Sequence, residues 1–147
     1  MIRNLTRPTV ALAVALLFSV AACSDDSDPG APTNITGTYT LRSVNGDEIP
    51  ATLIDLGTTY KFEILSGNLI INAGSTFSET ATYRETEDGA ATTETITCTG
   101  TYTRNGNSIS LVEAESGEDC GGTFTGTISG ATVTVAYDAE LQAVYRK

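Results

Sequence analysis

From Gly37 to the C-terminus, apolar and polar residues alternate with a period of two, the spacing of a strand with one buried face. In "TETITCTGTYTRNGNSISLV", Thr95, Thr97, Thr99, Thr101 and Thr103 fall on one side, and Ile96, Cys98, Gly100 and Tyr102 on the other. Glycine pairs cut this alternation into hairpins. Asn105-Gly106 predicts a two-residue turn that pairs Arg104 with Asn107, Tyr102 with Ile109, Gly100 with Leu111 and Cys98 with Glu113. Ser66-Gly67 pairs Ile64 with Leu69, Phe62 with Ile71 and Tyr60 with Ala73. Ser129-Gly130 pairs Ile128 with Ala131, Gly126 with Val133 and Phe124 with Val135. Asp88-Gly89 pairs Ala81 with Ile96 and Tyr83 with Glu94, and a bend at Asp138 to Glu140 turns Leu141, Ala143 and Tyr145 inward. A slip of one residue would reverse every one of these side chains, so the agreement of apolar faces tests each register.

The expected strands are 37–44, 58–65, 68–73, 76–86, 91–104, 107–114, 122–129, 131–137 and 140–146. Consecutive antiparallel strands with one apolar face close on themselves, because closure removes the edges. The expected fold is all-β, an antiparallel up-and-down barrel of about eight strands, with a two-sheet sandwich as the alternative. Between Asn45 and Gly57, Pro50 suits a first helical turn and Gly57 a helix end, which predicts a short helix capping one mouth with Leu53 and Ile54. All six tyrosines fall on inward positions. Tyr39, Tyr60, Phe62, Tyr83, Tyr102, Leu111, Phe124 and Tyr137 are the candidates for lining an interior cavity, and inward Gly100 and Gly126 leave room for one. Outward positions carry Thr38, Thr40, Arg42, Lys61, Glu63 and Ser110. That face is too polar for a barrel embedded in lipid, which needs an apolar outer band.

The first 22 residues break the pattern. Arg3 and Arg7 precede an uncharged apolar run from Val10 to Val20, shorter than the roughly 20 residues of a spanning helix. A basic start, a short apolar run and small residues before a cut point describe a secretory signal peptide. The cut point "VAAC", Val20-Ala21-Ala22-Cys23, resembles the lipobox of bacterial lipoproteins. The resemblance implies cleavage before Cys23, lipid on Cys23, and a chain anchored in a membrane of the cell envelope. Ser24 after the cysteine resembles the pattern of lipoproteins sent to the outer membrane. Residues 23–35 carry Asp25, Asp26, Asp28, Pro29, Gly30 and Pro32, too polar to bury a core, and read as a tether. A calcium site built from the three aspartates is the sharper alternative. Residues 36–147 form the folded domain.

Removal of residues 1–22 takes two of the 8 basic residues and none of the 18 acidic ones, moving the net charge from -10 to -12. Such a chain repels nucleic acid and acidic lipid surfaces. Cys98 and Cys120 remain once Cys23 is acylated, and an even pair in an oxidising compartment predicts a disulfide. The chain has no histidine, so the usual serine and cysteine triads are excluded; no metal-ligand spacing and no cofactor motif stand out, and the domain reads as a monomer without enzymatic activity. One constellation stands out. The registers place Glu79, Cys98 and Glu113 on the inner face of neighbouring strands. In a dry site the two carboxyls would have divergent pKa values and could act as acid and base. The expectation is the blander one, that they sit hydrated at the barrel rim.

At "GTYTLRSVNGDEIP", Gly37 to Pro50, the chain resembles the lipocalin-like domains of bacterial lipoproteins. Gly37-Thr38-Tyr39 stands where lipocalins open their first strand with Gly-x-Trp, whose indole closes the barrel floor. "GTFTG", Gly122 to Gly126, is locally similar to avidin-like barrels. The resemblance implies a calycin-like barrel and names no ligand. Two functions follow as expectations: an anchored barrel holding a small apolar or amphipathic ligand, or a structural or interaction lipoprotein with a filled core.

Overall fold

The computed structural model describes residues 34–116 and 120–147. The expected signal segment 1–22, Cys23, Asp25, Asp26, Asp28 and Gly117 to Asp119 lie outside the described residues. Among the described residues there is no helix. The strands are β1 (Gly37–Val44), β2 (Asp47–Glu48), β3 (Ala51–Asp55), β4 (Tyr60–Ile71), β5 (Thr76–Glu87), β6 (Ala90–Asn105), β7 (Ser108–Glu113), β8 (Gly122–Ser129), β9 (Thr132–Ala136) and β10 (Gln142–Arg146). Neighbours run β1-β10-β9-β8-β7-β6-β5-β4, and β4 returns to β1. The chain is therefore a closed antiparallel barrel of eight strands with two extra strands, β2 and β3. The sandwich alternative is excluded by the β1–β4 pairing, Gly37 to Thr40 against Asn68 to Ile71.

The Asp88-Gly89 hairpin has the expected register, Ala81 opposite Ile96 and Tyr83 opposite Glu94, with φ of 49° and 83° at the two turn residues. Two other hairpins are displaced by two residues from expectation. Tyr102 pairs with Leu111 rather than Ile109, Gly100 with Glu113 rather than Leu111, and Gly126 with Val135 rather than Val133. The turn residues explain this. Gly106 (φ 58°) and Gly130 (φ 57°) each take the first central position of the turn, as in a type II′ hairpin, instead of the second. A shift of two preserves every side chain's face, so the inward and outward sets survive.

The Ser66-Gly67 turn does not form. β4 runs through it, with a bulge between Ile64 and Ser66. A Cβ on Gly67 would lie 3.1 Å from Leu41 Cδ2 and 3.1 Å from the Thr80 carbonyl, so glycine here lets β1 come against β4. Bulge and glycine together bend the strand and close the barrel. The reversal comes later, where the Asn72 amide donates to the Thr76 carbonyl at 2.9 Å. The helix expected between Asn45 and Gly57 is likewise replaced by strands. Asn45 and Gly46 have φ of 52° and 92°, a two-residue hairpin turn into β2. Beyond its first four residues β1 leaves β4, and β3 takes the vacated edge by pairing Ala51 with Ile64 and Asp55 with Lys61. An open strand edge outweighs a weak local preference for helix.

β6 outruns β7, which stops opposite Gly100, and β4, β5 and β6 run on together beyond the barrel as an arm, with residues 90–95 exposed. On the outer face Thr80 meets Thr97 at 3.1 Å and Thr82 meets Thr95 at 3.0 Å, hydroxyl to hydroxyl. Also outward, Glu63 lies under Lys61 and Arg84, at 2.8 and 2.7 Å, and those two bonds, Lys61 first, hold its carboxyl below the ordinary range.

Candidate functional site

The barrel interior has two unlike halves. Around the end that carries the β4–β5, β6–β7 and β8–β9 turns, Tyr39, Leu69, Ile71, Phe77, Ile109, Leu111, Ile128 and Val133 are almost wholly buried. Tyr39 closes this floor. Its hydroxyl donates to the Ile35 carbonyl at 2.6 Å, and Lys147 Nζ lies 4.8 Å from its ring centroid. Gly100 and Gly126, expected to open space, are filled. A Cβ on Gly100 would fall 2.7 Å from Phe77 Cε1, and one on Gly126 2.5 Å from the Thr134 carbonyl oxygen. These glycines permit close approach rather than a void.

Two residues above Phe77 on β5 the same inner face carries Glu79, opposite Leu69 of β4 and Cys98 of β6. Alternation thus drives a carboxyl into the barrel. Across the interior, Tyr145 of β10 donates to Glu79 Oε1 at 2.6 Å. Tyr137, just beyond β9, makes a second, short bond to the same oxygen, and the two phenol oxygens are 2.9 Å apart. Glu79 Oε2 is out of contact with solvent and has no hydrogen-bond partner among the described residues. Burial, above all, pushes the Glu79 carboxyl above its usual range; the two phenol bonds pull the other way and Glu113 adds to the rise. Burial raises both phenols too, followed by the charge of their neighbours, so both stay protonated.

Two cavities of about 170 Å³ each adjoin this cluster and share Glu79, Ala81 and Tyr137. One continues along Leu41, Leu53, Ile64 and Leu141. The other continues along Ile96, Cys98, Glu113 and Phe124. Neither wall holds a basic side chain. The Phe124 and Tyr137 rings meet at 4.9 Å between centroids. Cys98 and Cys120 form the expected disulfide, with Cα atoms 5.6 Å apart. It ties Cys120, just before β8, to Cys98 in the wall of the second cavity, and Glu113 Oε2 accepts from the Gly121 amide at 3.0 Å. A larger concavity of about 580 Å³ lies on the outside of β6 to β9. Threonine and serine hydroxyls dominate its wall, and it gathers no cluster of titratable groups.

Of the eight side chains expected to line a cavity, Phe124 and Tyr137 do so. Tyr39 and Leu111 belong to the packed floor. Tyr102 points to the same end, its hydroxyl donating to the Asn72 carbonyl at 3.1 Å. Tyr60, Phe62 and Tyr83 line the inner side of the arm, where Tyr60 donates to Glu85 at 2.8 Å, Tyr83 to Glu94 at 2.6 Å, and the Phe62 and Tyr83 rings are 5.3 Å apart. The structure corrects the expectation that Glu79 sits hydrated at the rim: its carboxyl lies inside the barrel, while Glu113 is half-buried and bonded to the Gly121 amide. Sequence alternation had already placed Glu79 inward. What it could not supply was the pair of phenols from β9 and β10, more than fifty residues away in the chain. No family model, no curated protein and no solved structure matches the chain.

Proposed function

We propose that this protein is a binding module: a barrel that holds a small amphipathic ligand in its hollow half, tethered to the cell envelope through lipid on Cys23. The observation that carries the reading is the contrast inside one barrel. A protein with only a structural duty would gain by filling its core throughout, since interiors pack to crystal-like density. Here one half is filled and the other keeps two apolar-walled spaces around a partly unsatisfied carboxyl. Concave apolar walls with a few converging polar groups are the general form of a small-molecule site. The ligand is small, because an apolar cavity of about 150 Å³ accommodates a single benzene-sized ring.

The anchor rests on the Val20-Ala21-Ala22-Cys23 sequence and the polar stretch after it. A multiply acylated cysteine holds a protein stably where one chain would not. Native mass spectrometry of the protein taken from its own cells tests the binding reading. A retained small molecule, lost when Ala81 is enlarged to leucine, is the expected result; an empty barrel that also takes up no probe in vitro would leave only the structural alternative. Fatty-acid labelling tests the anchor: label on the wild type and none on Cys23→Ala is expected, and equal label on both would refute it.

A further inference from the structure

We infer that the ligand class is a small organic amine bound as its ammonium ion, with a body about one ring in size, its nitrogen on Glu79 and its apolar part against Phe124, Tyr137 or the Leu53–Leu141 wall. This rests on the interior-binding reading above and names the chemistry that reading leaves open.

Proton counting gives the first argument. Glu79 Oε1, Tyr137 Oη and Tyr145 Oη form a triangle with three short contacts. Two phenols supply only two protons. All three contacts become hydrogen bonds when the carboxyl is protonated on Oε1, giving a ring in which each oxygen donates once and accepts once. The remaining oxygen, Oε2, is then a pure acceptor. A buried acceptor without a partner is costly, and such groups in folded proteins call for an explanation. A guest that donates a hydrogen bond removes the deficit. The terminal torsion of a glutamate is broad, so a small turn of the carboxyl presents Oε2 to either cavity.

Charge gives the second argument, and it selects an ammonium over a hydroxyl. Among the described residues, every titratable group facing Glu79 is acidic or phenolic: Glu113 from β7, Tyr137 beyond β9 and Tyr145 from β10. The sides contributed by β1, β3 and β4 are Leu41, Val44, Leu53 and Ile64. Beyond the mouth, the inner side of the arm carries Glu85 and Glu87 opposite Phe62 and Tyr60, and Glu94 opposite Tyr83. Acidic groups set among aromatic rings attract and steer cations and turn anions away. An ammonium ion on Glu79 also makes the ionised carboxylate the favoured form. Binding then follows the balance Glu79–COOH + R–NH₃⁺ → Glu79–COO⁻···H₃N⁺–R + H⁺, with one proton released to solvent.

Three probes of one shape separate the possibilities: benzylamine, benzyl alcohol and benzoate, titrated calorimetrically into the intact protein. The expected order is benzylamine first, tighter than benzyl alcohol by about tenfold, the worth of exchanging a neutral for a charge-assisted hydrogen bond. Benzoate should not bind. Glu79→Gln should abolish the preference for the amine and leave the alcohol where it was. Equal affinity for amine and alcohol in the wild type would overturn the amine assignment while sustaining the interior site. Amine binding indifferent to Glu79→Gln would overturn it too, as binding elsewhere. No binding of any probe would overturn both this inference and the interior site. If the variant does not fold, the unmodified protein still answers. In buffers of different ionisation enthalpy at mildly acidic pH, amine binding should release close to one proton and alcohol binding none. No proton release with the amine would refute the exchange.

Discussion

Phe77 and Glu79 stand two residues apart on β5, face the same interior, and live in opposite surroundings. Phe77 rests on the bare backbone of Gly100 and is almost wholly buried. Glu79 meets two phenols, leaves one oxygen unpartnered and borders two cavities. The floor spends its glycines on close approach, while the mouth spends its tyrosines on a polar cluster. Stability and binding are thus divided along the barrel axis: the filled half can hold the ring of strands closed while the other half stays open to a guest.

The largest expected effect lies in the floor. Leu111→Ala removes a side chain with no solvent exposure from the packed layer. It should lower the unfolding free energy by about 2–5 kcal/mol, read from denaturant midpoints, because a rigid layer does not collapse around the void. The complementary change in the mouth, Ala81→Leu, fills space beside Glu79 and should cost much less. A floor substitution as mild as the mouth substitution would erase the distinction between the halves.

The disulfide comes next. Cys98 and Cys120 are 22 residues apart, and the chain-entropy account assigns a loop of that length roughly 3 kcal/mol. Cys98→Ala with Cys120→Ala should lose about that much. It should also loosen the wall of the second cavity, which Cys98 lines, and leave the floor intact. Hydrogen exchange checks the division: amides of β7 and β8 near the mouth should exchange faster, and those beside Leu111 and Ile128 should not.

Tyr145→Phe is smaller. It removes one hydroxyl from the hydrogen-bonded ring around Glu79 Oε1 and leaves the aromatic side chain buried, which should cost about 1–3 kcal/mol for a buried polar group short of a partner. Tyr39→Phe in the floor removes a single bond to the Ile35 carbonyl. A loss confined to Tyr39→Phe, with Tyr145→Phe neutral, would mean that the mouth cluster contributes no stability.

The same division explains what the sequence disclosed. Period-two alternation was enough for the barrel and for the inward position of Glu79, because each depends on which face a residue takes, and the cysteine count was enough for the disulfide. A displacement of two at Gly106 and Gly130 leaves faces unchanged and alters only neighbours. Ser66-Gly67 misled because a glycine in a strand serves close approach as readily as a turn, and only the presence of Leu41 on β1 decides between them. The β2–β3 region misled because its conformation answers an edge of β4 left open where β1 departs, a long-range demand that no local propensity carries. The site was legible as single residues and illegible as a cluster. Tyr137 and Tyr145 looked like any other inward tyrosines until closure of the ring brought β9 and β10 across from β5.

The finest test sets Glu79 against its own neutral analogue. Burial raises the Glu79 carboxyl above the usual range, so the folded protein holds a proton that the unfolded chain, with a glutamate near 4.3, gives up. Where the native state binds more protons than the unfolded one, stability falls as pH rises. The contribution is fully present below the unfolded pKa and is lost as pH climbs through the window between that value and the raised one. Glu79→Gln mimics the protonated acid and cannot ionise. Measured by urea unfolding from mildly acidic to mildly alkaline pH, the variant should match the wild type at the acid end and exceed it increasingly as pH rises, until the gap levels off. Taking the difference between the two proteins cancels the other carboxyls, which titrate in both. A gap that opens in the opposite sense would mean that the empty barrel prefers the ionised carboxylate. The ring of three hydrogen bonds would then lack its third proton, and the mouth would owe its form to a charge rather than to a neutral acid.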